Sequence, residues 1–217
     1  MEIHFEKWHG CHNDFIIIHN SCEQKNNILP SLQKAAKYLC SHSGDGIGAD
    51  GILLLCHQQK DNTANTELVI INKDGSLADN CGNGLRCAAA SIFNKVKTSK
   101  HNPGALEKNI TLKIKNQEFI CYDIEKKHLD SYYILIQIST PTLDINNPWH
   151  NKIVSFCKTN LNPQPQEIRT CTIGNKHLVL FVEQQNQKLC DNYINTLRQQ
   201  EFNTEINTHI VNQGELT

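Results

Sequence analysis

One junction near the middle of the chain constrains the fold more than any other feature. An apolar strand pattern at residues 68–71 runs into Asn72-Lys73-Asp74-Gly75-Ser76 and then into Cys81-Gly82-Asn83-Gly84-Leu85-Arg86-Cys87. Beyond it, Leu85, Ala88, Ala89 and Ile92 recur at helical spacing, so a helix is expected from about Asn83 to about Val96. This order places Cys81 at the mouth of a helix, where backbone N–H groups without helical partners and the positive end of the dipole converge. A thiol there can be held as thiolate, and an anion can be gripped beside it. Gly82 and Gly84 keep side chains away from those N–H groups and let a carboxylate approach the backbone. Each charge-assisted hydrogen bond contributes roughly 1.5–3 kcal/mol, against roughly 0.3–1 kcal/mol for the dipole, so backbone contacts dominate. The alternative reading, a helix cap over a buried thiol, remains open from these residues alone.

Bulk properties exclude several classes. The 217 residues carry a formal net charge of −1 with acids and bases interspersed, so no global field draws the chain to nucleic acid or to an anionic membrane. Met1-Glu2-Ile3-His4-Phe5 lacks the apolar stretch of a signal peptide, and no apolar run approaches the ~20 residues of a spanning helix. A cytoplasmic protein is expected. The ten cysteines are scattered without a Cys-x-x-Cys pair, so most are expected as buried small hydrophobes rather than disulfides. His9, Cys11 and His12 have no partner cluster at zinc spacing, and no metal is expected.

Strands are expected at 2–8 and 15–19, flanking the turn Gly10-Cys11-His12-Asn13-Asp14. Phe15-Ile16-Ile17-Ile18 is a continuous apolar run, as expected of a well-buried strand. A helix is expected to open at Pro30-Ser31, with Ser31 as its cap and Leu32, Ala35, Ala36 and Leu39 as its stripe. Further strands are expected at 52–55 and around Ile110, Leu112 and Ile114, with a loop over 98–108 carrying Asn102-Pro103-Gly104. A second series begins at Tyr132 with alternating Ile134, Ile136 and Ile138. Pro141, Pro148, Pro163 and Pro165 then interrupt the pattern. A strand at 178–182, a helix using Leu189, Tyr193, Ile194 and Leu197, and an extended segment at 206–211 complete it. Strands around one central helix, with a partial second copy behind, indicate an α+β architecture.

Gly46-Ile47-Gly48-Ala49-Asp50-Gly51 matches the dinucleotide fingerprint by letter, but that fingerprint needs a strand before it and a helix after it. Here the order is reversed, so a tight glycine turn is expected and no NAD. Asn13, Asn72, Asn175 and Asn207 each fall at a strand end or turn. Asn offers donors to a carboxylate and an acceptor to an ammonium, which suits an α-amino acid, though any one of them is also an ordinary turn residue.

Together these segments resemble the diaminopimelate epimerase family. His9-Gly10-Cys11-His12-Asn13-Asp14-Phe15 is similar to that family's His-Gly-Leu-Gly-Asn-Asp-Phe, and residues 46–51 to its Gly-Ile-Gly-Ala-Asp-Gly. Residues 72–75 resemble Asn-Ala-Asp-Gly, and 81–87 resemble Cys-Gly-Asn-Gly-x-Arg-Cys, the most specific stretch. Gly174-Asn175-Lys176-His177 is close to Gly-Asn-Pro-His, and Glu205-Ile206-Asn207 to Arg-Val-Asn. The resemblance implies two pseudo-symmetric halves of strands wrapped around a central helix: 1–125 carrying Cys81, and 126–217. It implies cofactor-independent interconversion of LL- and meso-diaminopimelate by two cysteines on opposite faces of the α-carbon. Cys81 would be one acid/base and His177 would support the site. Gly82 and Asn83 would hold the α-carboxylate, and Asn13, Asn72, Asn175 and Asn207 would bind the substrate's two amino-acid ends.

The departures carry consequences too. The family's second cysteine lies in Ala-Cys-Gly-Thr-Gly after Glu-Arg-Gly, and neither stretch occurs in the 217 residues. Cys190 lacks the glycines. Cys11-His12 replaces Leu-Gly, and Lys176 replaces Pro. The expectation is a C-terminally truncated member whose second half is incomplete and lacks its own central helix, with negligible epimerisation. Leu178, Leu180 and Val182 would be partly uncovered and would drive association, a homodimer among the outcomes. Another cofactor-independent amino-acid racemase or isomerase of the same fold, or a non-catalytic binding remnant, are the alternatives.

Overall fold

A computed structural model describes residues 3–59, 62–98, 109–128, 131–138, 140–143, 148–173, 175–184, 186–199 and 206–212. The loop expected beyond residue 98, with Asn102-Pro103-Gly104, and the motif residues Gly174 and Glu205 lie outside the described residues. The chain divides into two units, Met1–Ile138 and Ser139–Thr217.

The first unit contains β1 (Glu6–Gly10), β2 (Asn13–Ser21), α1 (Lys25–Leu39), β3 (Gly51–Gln59), β4 (Asn62–Asn72), β5 (Leu77–Ala78), α2 (Gly82–Thr98), β6 (Asn109–Ile114), β7 (Gln117–His128) and β8 (Ser131–Gln137). Its sheet runs β1-β2-β3-β4-β6-β7-β8, with β5 paired to β4. The β2–β3 and β4–β6 pairs are parallel and the rest antiparallel. Each helix covers one face. Phe15, Ile17, Leu53 and Leu55 point to α2, while Ile16, Ile18, Ile52 and Leu54 point to α1. This two-sided burial is why β2 reads as an unbroken apolar run. Around α2, Leu85, Ala88, Ala89 and Ile92 are fully buried, as their spacing predicts. Residues from β2, β3, β4, β6 and β7 close on them, with Trp8 of β1 and Ile134 and Ile136 of β8 at the rim. The sheet is therefore wrapped around a central helix.

The first strand covers Glu6–Gly10 rather than 2–8, and two further expectations change in this unit. Helix α1 starts at Lys25, after a 3-10 turn at Cys22–Gln24, and holds Pro30 inside rather than at its start. Pro30 cannot donate to the carbonyl of Asn26, a loss of about 3 kcal/mol in a helix interior. Burial of Ile28 one turn ahead of Leu32 offsets much of it, at roughly 1.5–3 kcal/mol. The alternation Ile134, Ile136, Ile138, read above as the start of a second series, belongs to β8 and its continuation, and β8 pairs with β7 inside the first sheet.

The second unit contains β9 (Thr142–Leu143), α3 (Pro148–Asn160), β10 (Glu167–Ile173), β11 (Asn175–Val182), α4 (Gln187–Arg198) and β12 (Ile206–Asn212). The sheet order is β12-β11-β10-β9, with β11 and β12 parallel across α4. Helix α3 was hidden from sequence by the surrounding prolines, although Pro148 occupies a first helical position where its missing N–H costs nothing. The expected uncovered strand face is corrected here. Leu178, Leu180 and Val182 are buried against Ile153 and Cys157 of α3 and Leu189, Tyr193 and Leu197 of α4. Asn186 caps α4 by accepting the Leu189 N–H at 2.9 Å. No helix among the described residues is long and apolar enough to cross a membrane.

Candidate active site

Cys81 bridges β5 and α2. Its carbonyl accepts the Leu85 N–H at 2.8 Å, the first helical bond, and its Sγ accepts the Gly84 N–H at 3.3 Å. A sulfur thus takes the capping place usually given to a serine or aspartate oxygen. That bond fixes the sulfur at the mouth of the helix. The N–H groups of Gly82 and Asn83 precede the first helical bond and have no acceptor within the helix. Gly84 is small for a reason: a Cβ there would stand 3.2 Å from Leu53 Cδ2 and 3.4 Å from the Cys81 sulfur.

The β1–β2 hairpin lies against this first helical turn. Cys11 and His12 close it with φ of 50° and 68°, the paired left-handed geometry of a type I′ turn. A Cβ on Gly10 would come 3.1 Å from the Cys87 sulfur. Past the turn, Asn13 Oδ1 accepts from Asn83 Nδ2 at 2.8 Å, and Asn13 Nδ2 donates to Asp50 Oδ2 at 3.0 Å. The Asp14 N–H donates to the same oxygen at 3.1 Å. The Asn13 amide, followed by the Asp14 N–H, holds the Asp50 carboxyl below its ordinary value. Cys87, by contrast, is a packed core thiol that burial pushes up to about 12.

Asn72 ends β4 in register with Gly51, which is itself in register with Phe15, so it shares the sheet end that carries Asn13. Its amide donates to Ser76 Oγ at 2.9 Å and closes its own hairpin, with Gly75 at φ 89°. Within the first unit, then, Cys81, Gly82, Asn83 and Asn13 are brought together and Asn72 stands at the same sheet end. The residues 46–51 form a loop between a helix and a strand, as the reversed order required.

The second unit gathers the other expected residues. Asn175 opens β11, and His177 pairs in register with Cys171 of β10 and Asn207 of β12, so the three share one sheet face. His177 Nδ1 lies 2.9 Å from His209 Nε2, and the two rings stack with centroids 5.2 Å apart. Burial, followed by the neighbouring His209, lowers the His177 pKa below the usual imidazole value. Sequence reasoning missed two residues. Asp50 was absorbed into the glycine turn, and nothing local signals its bond to Asn13. His209 follows Asn207 by two, the spacing that returns a strand side chain to the same face, and that signal was available.

Comparison with known proteins bears on both units. The family model described as diaminopimelate epimerase matches residues 5–127. The diaminopimelate epimerase of Brachyspira hyodysenteriae is 32% identical over 191 residues, covering 84% of this chain and 61% of that protein. That of Rickettsia bellii is 31% identical over 195 residues, covering 87% and 62%. The chain thus spans about three-fifths of the length of these relatives. Among solved structures, a predicted epimerase from Pseudomonas aeruginosa superposes with a TM-score of 0.58 at 11% identity, covering 88% of this chain and 62% of that one. A PhzF-family phenazine biosynthesis protein from Bacillus anthracis does so with a TM-score of 0.54 at 12% identity, covering 97% and 66%. At such identities the likeness is one of fold.

Proposed function

The chain belongs to the diaminopimelate epimerase family, and on that premise we propose that Cys81 is an acid/base for the α-hydrogen of a diaminopimelate. The observation that carries this is the Gly84 N–H directed at the Cys81 sulfur at the start of α2. The α-carboxylate would lie on the N–H groups of Gly82 and Asn83, fixed beside the sulfur. An α-C–H is a far weaker acid than a thiol, so fixed donors must take up the charge that develops as the proton leaves. One such donor is worth roughly 2.7–4 kcal/mol. No cofactor is needed for this step. Asn13, Asn72, Asn175 and Asn207 are assigned to the substrate's two amino-acid ends, and His177 to support of the site, on their match to the family motifs. A cytoplasmic location is part of this proposal.

Inversion requires a proton delivered to the face opposite Cys81. The 217 residues taken alone are therefore expected to exchange the α-hydrogen without matching inversion. The test incubates the purified chain with LL-diaminopimelate in D2O and follows α-deuterium and meso product. Deuterium uptake lost in Cys81→Ala supports the assignment. Exchange that persists in that variant would remove Cys81 from the chemistry.

A further inference from the structure

A cavity of about 550 Å³ opens on the first unit between the C-terminal turn of α1, the glycine loop and the β4–β5 hairpin. Its rim carries two lysines, Lys37 and Lys73, and two carboxylates, Asp50 and Asp74, all exposed. Its floor is Cys40 and Ala49, both buried. His42 forms a wall, with its ring over Gly48, where a Cβ would come 2.7 Å from His42 Nδ1.

The rim carries both signs of charge, and its sum is zero with His42 neutral. A simple anion would gain from the lysines and be opposed by the carboxylates, and a simple cation would meet the reverse. Each carboxylate also has spare capacity. The hydrogen bonds to Asp50 fall on Oδ2, from Asn13 and the Asp14 N–H, and those to Asp74 fall on Oδ1, from the Ser76 N–H and hydroxyl. A carboxylate oxygen accepts up to two bonds, so one oxygen of each remains for a ligand. A small molecule with one positive and one negative end can use both the lysines and the free carboxylate oxygens of the rim. The apolar floor leaves room for a short side chain.

We propose that this cavity binds a free α-amino acid as its zwitterion, with the carboxylate between Lys37 and Lys73 and the ammonium at Asp50 and Asp74. The site is separate from Cys81, and only its regulatory consequence rests on the proposed function. It is nonetheless wired to that region, because Asp50 holds Asn13 and Asn13 holds Asn83 in the first turn of α2. An ammonium on the free Oδ1 of Asp50 partly neutralises the carboxylate and so weakens the bond that Oδ2 accepts from the Asn13 amide. Occupancy therefore changes the setting of Asn83, which gives the free amino acid a means of regulating the catalytic end.

The test is a titration of the isotope-labelled 217-residue chain followed by amide NMR. The probes are L-alanine, N-acetyl-L-alanine, which has no ammonium, and L-alaninamide, which has no carboxylate. L-alanine should produce saturable shifts at Gly48 and Gly75 and in the side-chain amides of Asn13 and Asn83. Both analogues should bind at least about tenfold more weakly, a loss of roughly 1.4 kcal/mol or more. The double variant Lys37→Ala/Lys73→Ala, which removes only exposed side chains, should lose the response while keeping the wild-type spectrum elsewhere. Equal binding of the analogues would overturn the proposal. So would shifts confined to residues 81–84, an unchanged response in the double variant, or no saturation by about 50 mM L-alanine, beyond which a site has almost no free energy to offer.

Discussion

Cys81 has two roles that substitution can separate. As a cap it satisfies the Gly84 N–H, and as a base its sulfur must take a proton. Cys81→Ser keeps an acceptor at the cap, so the melting temperature should stay near wild type, whereas Cys81→Ala should cost about 1 kcal/mol of stability. Both should reduce α-deuterium exchange by about 100-fold or more, since a serine hydroxyl is a far weaker acid than a thiol and is not held as its anion. A serine variant that exchanged at the wild-type rate would confine Cys81 to capping. Glycine matters at a different residue for a different reason. A Cβ on Gly46 would stand 2.3 Å from the Ser41 carbonyl oxygen and 2.7 Å from that of Tyr38, both backbone atoms that cannot rotate away. Gly46→Ala should therefore destabilise the first unit by about 2 kcal/mol or more in urea unfolding, beyond the ordinary range for a surface change.

At the scale of elements, the middle of α2 is held by a directional polar chain. Ser91 donates to Glu6 Oε2 at 2.7 Å, so its oxygen accepts from His19 Nε2 at 2.8 Å. His19 Nδ1 then accepts from His57 Nε2 at 2.9 Å, and His57 Nδ1 faces Thr66 Oγ1 at 3.0 Å. Both imidazoles are neutral in this arrangement, since a second ring proton on His19 would meet the one already shared with His57. Burial, with Lys95 adding and Glu6 opposing, lowers the His19 pKa from 6.5 to about 4, and burial lowers His57 as well. The unfolded chain therefore binds more protons than the folded one between pH 6.5 and 4. Stability should be whole above pH 6.5 and fall as the pH drops through that window, and replacing His19 with Gln should flatten the fall. A melting temperature independent of pH across this range would show that the chain of bonds does not govern stability. Ser91→Ala removes the acceptor of His19 Nε2, while the Glu6 carboxylate keeps Trp8 Nε1 at 2.7 Å and Lys95, and should cost roughly 1–3 kcal/mol.

For the molecule as a whole, the slowest amide exchange should fall in β3, whose Leu53 and Leu55 face one core and Ile52 and Leu54 the other. Hydrogen exchange that was slower in β8 would contradict this. The same pattern marks what the amino-acid order determined. It set the extent and buried face of α2, the burial of β2 and the alternation of β6, because helices and strands repeat every 3.6 and 2 residues and a buried face must recur at that period. It also placed a thiol and two glycines at a helix mouth. Tertiary structure decided the rest. The assignment of β8 to the first sheet, the passage of α1 through Pro30 and the cover that α3 and α4 give Leu178 and Leu180 depend on which surfaces meet. So do the bond from Asn13 to Asp50, 37 residues away, and that from His177 to His209, 32 away. Local periodicity carries no information about such partners, since the free energy that selects them arises only when separate segments exclude water from each other.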